Sequence, residues 1–272
     1  METQQLDVAA YSRDNLHTAA EGFAWLGAFL GSIDADAWNA DSACSKWTVR
    51  NLADHAVGEA VWFPNLVRNA LAGEEMYPLS LYEEMKSWPA DKIAARLQEA
   101  PEEFALALDG ADEEGVQREV DMVFAKMPLW QATYVSLVEG VFHSWDGRAR
   151  LEPEVVIPLT WAQQVDAGLT EFAPMIVHRD ALATSSGTYL LQVGDGVGPV
   201  TVEVGDGDLS VHSGAVGSPD VTVRLSAEQY ARLITGRLPL DSDAGRDRVE
   251  IEGDRARATN LNRIFGGIAN QE

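Results

Sequence analysis

The sequence predicts an N-terminal four-helix bundle followed by a smaller α+β domain with a mostly antiparallel sheet. Three observations carry this expectation. Up to Arg150, apolar residues recur at three- and four-residue steps in four segments, the period of helices that bury one side. Beyond Pro158, short β-branched runs alternate with Gly/Asp turns, the pattern of strands and hairpins. Between them, Leu151 to Pro158 holds two prolines and reads as a linker. The expected domains are therefore 1–150 and 151–272.

The first helix is expected from about Val8 to Gly31, with Leu16, Ala19, Ala20, Phe23, Leu26, Phe29 and Leu30 as its stripe. The second runs from about Val49 to Leu71 behind Thr48, a good N-cap, with Trp47 placed to staple the turn. Its buried side holds Leu52, Ala56, Ala60, Phe63, Leu66 and Val67, with His55 at the edge and Glu59 and Trp62 continuing the row of His55. Pro64 interrupts it. A loop is read over Gly73 to Ser80. The third helix begins at Pro89, carries Ile93, Leu97, Phe104 and Leu108, and is liable to break at Pro101. Gly110 to Val120 reads as an acidic loop. The fourth helix spans Leu129 to Arg150.

In the second half, Leu159 to Ala183 reads as one more helix. Strands are expected at Thr188–Val193, Val200–Val204, Leu209–His212, Val221–Leu225 and Val249–Glu252, with a hairpin at Gly205-Asp206-Gly207. Ser226 and Gln229 form a capping box for a helix through Ile234, closed by Gly236, and Asp254 caps a last helix through Phe265.

Composition narrows the function. Apolar residues make up 46 % of 272 residues, enough for substantial cores. Lys and Arg total 20 against 43 Asp and Glu, a net charge of -23. Such a chain repels phosphate backbones and anionic membrane surfaces, so neither nucleic acid nor membrane is an expected partner. The segment METQQLDVAA lacks a signal-peptide pattern, and no apolar run approaches about 18 residues. A cytoplasmic protein, monomer or homodimer, is the expectation. The single cysteine, Cys44, rules out an internal disulfide, and its chain neighbours would not activate a thiol.

Two faces share the fourth helix. Trp130, Tyr134, Leu137, Val138, Val141 and Trp145 form the apolar stripe; Ser136, Glu139, His143, Asp146 and Arg150 form a polar one. Glu139 and His143, four apart, leave the helix on one side and can share a metal ion, as Glu/His pairs do in bundle sites. The bland alternative is a solvated face with Glu139–His143 and Asp146–Arg150 ion pairs. His55, pointing into a bundle, needs a partner for its ring nitrogens. Two imidazoles and a carboxylate suit a divalent metal with an open position, provided they converge in space. Glu59 is open to three roles: a base, a further ligand, or a partner for Arg68.

The fragments KWTVRNLADHAVGEA and VEGVFHSWDGRAR resemble the second- and fourth-helix motifs of the DinB-like mycothiol-dependent enzyme family, and PDVTVRLSAEQYARLITGRL resembles its sterol-carrier-like second domain. The resemblance implies that His55, Glu139 and His143 bind a metal, zinc by preference. It implies that Arg237 assists binding of the thiol cofactor, mycothiol, although a helix-ending arginine also has a purely structural use. The implied activity is that of a metal-dependent mycothiol S-transferase or maleylpyruvate isomerase-like cis-trans isomerase, with a small electrophile and a low-molecular-weight thiol as partners. Asp146 is expected either to orient a ligand or, by preference, to pair with Arg150. The competing reading is a small-molecule or lipid-binding protein whose bundle is a scaffold.

Overall fold

The computed structural model describes residues 7–74, 84–109, 111–122, 125–241 and 249–265. Most of the loop read over Gly73 to Ser80 lies outside them. The chain divides into two compact units, Met1–Val155 and Val156–Glu272.

In the first unit, α1 (Val8–Leu30) starts where the Asp7 side chain accepts from the Ala10 N–H, and α2 (Val49–Ala72) starts at a reciprocal Thr48/Asn51 capping box. The third helical segment is in two pieces, α3 (Ala90–Gln98) and α4 (Ala100–Ala107), because Pro101 fits the opening turn of a new helix but not the interior of an old one. The acidic stretch expected as loop instead holds a short helix, α5 (Glu113–Val116), capped by Asp112, and β1 (Glu119–Asp121), which pairs antiparallel with β2 (Lys126–Pro128). The last long helix, α6 (Leu129–Ala149), follows Pro128 directly.

α1 and α6 run parallel: the amide of Asn15 donates to the hydroxyl of Thr133, and Gly22 and Gly140 let the two backbones touch. α2 runs antiparallel to α6. Leu52 faces Gly147 near one end. At the other, Arg118 donates to the Ala70 carbonyl and accepts from the Leu129 N–H. Between these helices lies one core that includes Leu16, Phe23, Leu26, Leu52, Phe63, Ile93, Leu97 and Phe104, with the Phe23 and Phe104 rings 5.9 Å apart. Burying each such side chain contributes about 1.5–3 kcal/mol.

The second unit opens with α7 (Leu159–Phe172), which ends in a 3₁₀ turn at Ala173–Met175 before α8 (Arg179–Ala183). The single helix expected over this stretch is therefore cut, and Pro174 is the cause: it has no N–H to continue the ladder. A five-stranded sheet follows, with β3 (Gly187–Val193), β4 (Gly198–Gly205), β5 (Asp208–Ser213), β6 (Val221–Leu225) and β7 (Glu250–Gly253). Its order is β5-β4-β3-β6-β7, antiparallel except for the β3–β6 pair. Asp206 and Gly207 both have positive φ, at 54° and 78°, so the β4–β5 turn is the two-residue kind that matches strand twist. α9 (Ala227–Ile234) carries the Ser226/Gln229 capping box and is closed by Gly236 at φ 78°. The last segment is two short helices, α10 (Arg255–Ala258) and α11 (Asn260–Phe265). Tyr189, Leu191, Val202 and Val223 from the sheet are buried, as are Tyr230, Leu233, Leu261 and Phe265 from the helices.

Candidate active site between the second and last bundle helices

The polar stripe of α6 is not solvated. Ser136, His143 and Asp146 are at most 2 % exposed, so this helix is buried on both its apolar and its polar sides. Polar groups placed there need partners, and α2 and the loop before it supply them for His143 and Asp146, whereas Ser136 Oγ has none. His143 Nε2 lies 2.9 Å from Glu139 Oε2, and His55 Nε2 lies 3.1 Å from the same oxygen. The two imidazole rings meet edge to face, 4.9 Å apart. One ligand atom from each of these three side chains falls within 4.8 Å of the other two.

A proton or a metal ion can sit among such atoms. With protons, the electrostatics follow from burial and charge. Burial raises the Glu139 carboxyl, but the His143 charge and hydrogen bonds from both imidazoles hold it far below the usual carboxylate range. Burial lowers His143, yet the Glu139 charge and hydrogen bonds with Asp146, Cys44 and Glu139 outweigh it and hold the ring protonated well above the ordinary histidine range. His55 follows the same balance: burial and His143 pull it down, Glu139 and Glu59 push it up, and the net shift is upward. The donors also fit a divalent cation. Tetrahedral zinc with ligands at about 2.1 Å sets its donors about 3.4 Å apart, close to the 3.1 and 2.9 Å that separate the two imidazole nitrogens from Glu139 Oε2. These three residues would hold such an ion and leave room for a further ligand, and the His55 and Glu139 side chains are 26 % and 19 % exposed.

The far nitrogen of His143 is fixed as well. Nδ1 lies 3.3 Å from Asp146 Oδ2, and the Cys44 thiol donates to that same oxygen at 3.3 Å. A carboxylate on the second nitrogen sets the tautomer and ring orientation of a ligating histidine. The expected Asp146–Arg150 pair does not form; Asp146 is turned inward and Arg150 is exposed. The chain neighbours of Cys44 would not activate a thiol, but its spatial neighbours are a histidine and an aspartate. The loop is tied to α6 by the Ala43 N–H donating to the Asp146 carbonyl at 2.9 Å, and it closes on itself through the Ser42 hydroxyl donating to the Trp47 carbonyl at 2.8 Å. Cys44, His143 and Asp146 form a second cluster of potential metal donors, buried on all sides.

That loop also places Trp47. Its ring lies 4.9 Å from the His55 ring and 5.8 Å from that of His143, so it covers one side of the site. Glu59, one turn beyond His55, has Oε1 3.9 Å from His55 Nε2. It does not pair with Arg68, whose partners are Asn65 and Glu103. Arg237 belongs to the second unit. There it is buried, and its Nη1 donates to the Thr235 carbonyl at 3.1 Å, the structural use of a helix-ending arginine.

Fold and site together define a two-domain protein with a His/Glu/His centre between antiparallel helices. Residues 19–147 match the family described as the mycothiol maleylpyruvate isomerase N-terminal domain, and residues 174–266 match the SCP-2 sterol transfer family. The chain thus joins a domain of the mycothiol maleylpyruvate isomerase N-terminal family to one of the SCP-2 sterol transfer family. The crystal structure of the mycothiol-dependent maleylpyruvate isomerase shares the fold, with a TM-score of 0.59 and 17 % identity over 89 % of this chain and 92 % of that one. A histidine-to-alanine mutant of the same enzyme aligns over the same shares, also at 17 % identity, with a TM-score of 0.58. No curated protein sequence matches the chain. No helix among the described residues is long and apolar enough to cross a membrane.

Proposed function

We propose that this chain is a cytoplasmic, metal-dependent enzyme that uses mycothiol to isomerise a small electrophilic metabolite or to conjugate with it. The observation that carries the reading is the convergence of His55 Nε2 and His143 Nε2 on one oxygen of Glu139, with His55 and Glu139 partly exposed to solvent. A divalent ion bound there, zinc by preference, supplies positive charge that favours the thiolate form of the cofactor, the nucleophile for reversible addition to an electrophilic double bond.

The remaining work falls to the chain's own groups. His55, Glu139 and His143 hold the ion, with the only anionic ligand on Glu139. Asp146 keeps a proton on His143 Nδ1 and so turns Nε2 toward the ion. Trp47 shields one side from water. Glu59 stands where it can accept a hydrogen bond from a group entering the open position. Arg237 enters the proposal, on the family resemblance alone, as a residue that helps to hold the thiol.

The test is elemental analysis of purified protein together with thiol titration of the cobalt-substituted form, in which sulfur bound to the metal gives a near-ultraviolet charge-transfer band. His143→Ala should lose the metal and keep its helical circular dichroism; Glu139→Gln should bind it about 10–100-fold more weakly. Arg237→Met should weaken thiol uptake at unchanged metal content. A His143→Ala protein with the wild-type ion-to-protein ratio would refute the assignment.

A further inference from the structure

The site continues inward along the rows that carry its donors. On α2, His55, Glu59 and Trp62 are spaced by four and three residues; on α6, His143, Glu139 and Ser136 are spaced the same way in the opposite direction. Each set therefore shares one helix face. The antiparallel register that sets Leu52 beside Gly147 and His55 beside Glu139 and His143 carries Trp62 to the level of Ser136. Exposure falls along both rows. The side chains of His55 and Glu59 are 26 % and 13 % exposed, and Trp62 is 5 % exposed; Glu139 is at 19 % and Ser136 at 0 %. At the deep end, Trp62 Nε1 and Ser136 Oγ are buried polar atoms with no hydrogen-bond partner. Ser136 does not even bond back to the carbonyl one turn earlier, the usual recourse of a helical serine. Two orphaned donors at one level, on the faces that line the metal centre, are unusual in a packed interior.

We propose that Trp62 Nε1–H and Ser136 Oγ–H form the floor of the substrate site and bind an uncharged carbonyl at the non-reacting end of the electrophile. This deepens the functional reading above and rests on it. The distance suits a small molecule: the seven residues from His55 to Trp62 rise roughly 10 Å. The polarity selects the ligand. An indole N–H only donates, and a serine hydroxyl donates equally well, so the floor calls for an acceptor oxygen. Glu59, one turn nearer the mouth, carries a carboxylate that repels a second carboxylate on the ligand and tolerates a neutral amide, ketone or ester.

The test uses the zinc-loaded full chain and the indole ¹H–¹⁵N resonances, with that of Trp62 identified by its loss in Trp62→Phe. The probes are maleamide, a neutral diamide, and maleate, its dianionic counterpart. The Trp62 resonance should shift saturably with maleamide and at least tenfold more weakly with maleate, and Ser136→Ala should weaken the maleamide response about tenfold at unchanged zinc content. A Trp62 resonance that ignores maleamide, responds equally to maleate, or reports only a held water overturns the proposal, as does wild-type affinity in Ser136→Ala. The two readings fail separately. A normal thiol band on cobalt with a silent Trp62 sinks the subsite alone; a responsive Trp62 without any thiol band sinks the thiol chemistry and leaves the subsite standing.

Discussion

Replacing Gly140 with alanine tests whether the α1–α6 contact governs the proposed metal centre. A Cβ at Gly140 would lie 2.4 Å from the Ala19 carbonyl oxygen and 2.8 Å from the Ala19 Cα. On the other helix, a Cβ at Gly22 would lie 2.4 Å from the Gly140 carbonyl oxygen. All of these obstacles are helical backbone, so no side chain can swing aside. Non-bonded carbon contacts settle near 3.5 Å, and the helices must part by about 1 Å to reach that distance. Overpacking of this kind costs about 1–3 kcal/mol. At about 2–4 °C per kcal/mol for a unit of this size, the melting temperature should fall by about 2–12 °C. The same displacement shifts Glu139 and His143 relative to His55, where ligand distances tolerate only about 0.2 Å. Zinc affinity should fall at least tenfold, measured by competition with a chromogenic chelator beside a thermal melt of the metal-free protein. Gly147→Ala is the control. Its new methyl meets the Leu26 Cδ1 at 2.9 Å and the Leu52 Cδ2 at 3.2 Å, the ends of flexible side chains, so its effects should be smaller. Wild-type melting and zinc affinity in Gly140→Ala, or equal damage in Gly147→Ala, would refute the reasoning.

Zinc uptake should release protons, because His55 and His143 hold theirs above the ordinary histidine range in the metal-free site; calorimetry at pH 7 in two buffers of different ionisation enthalpy should give up to about two protons per ion, and a value of zero would contradict the assignment. In metal-free protein, the raised His143 contributes stability that is complete below its unfolded value near 6.5 and is lost as pH rises through the folded value, whereas the lowered Glu139 contributes stability that is lost as pH falls below about 4.5; denaturant melts across pH 4–9 should show both flanks. Cys44→Ala removes the thiol donor to Asp146 and should weaken zinc binding several-fold, while Cys44→Ser, which keeps a donor, should recover part of the loss; identical affinities would show that the thiol does not help position His143. Asp166 on α7 has two buried oxygens without partners, and burial pushes its carboxyl up to about 8 from 3.8, so its own contribution to stability is most favourable below pH 3.8 and falls as pH climbs to 8. Asp166→Asn should therefore stabilise the second unit by up to about 4 kcal/mol at pH 7 and by little at pH 4, and a pH-independent difference in denaturant melts would count against this.

What the sequence disclosed depended on how locally each feature is encoded. Thr48 with Asn51, Ser226 with Gln229, and Asp206-Gly207 act within four residues, so caps and hairpin could be read directly. The rows His55–Glu59 and Glu139–His143 likewise follow from helical spacing, though their meeting does not. β1 and β2 escaped notice because three-residue strands leave too short an alternation to register, and the break of α7 was signalled by Pro174 but overlooked. Cys44 and Trp47 are a different case. Nothing in the flanks of Cys44 points to His143, nearly a hundred positions later; the link is the Ala43 N–H bond to the Asp146 carbonyl, a tertiary contact with no sequence period. Asp146 was visible at three residues from His143, but preferring Arg150 assumed a solvated face that the helix does not have.

That buried face is the strongest reason to treat the site as functional. Packing alone would be served at least as well by apolar residues, since replacing buried ion pairs with hydrophobic groups of similar volume is often neutral or stabilising. Here one helix commits Ser136, Glu139, His143 and Asp146 to a single row, facing His55, Glu59 and Trp62 on a neighbour. Mutual pairing satisfies the middle of these rows, yet it leaves two carboxylates and two imidazoles where aliphatic side chains would fit, and it leaves the donors of Trp62 and Ser136 without partners. A core assembled for stability would remove both defects. Their joint presence on two neighbouring helices, one an acid–base cluster partly open to solvent and the other a pair of orphaned donors, is what the proposed ion and the proposed small polar ligand would account for.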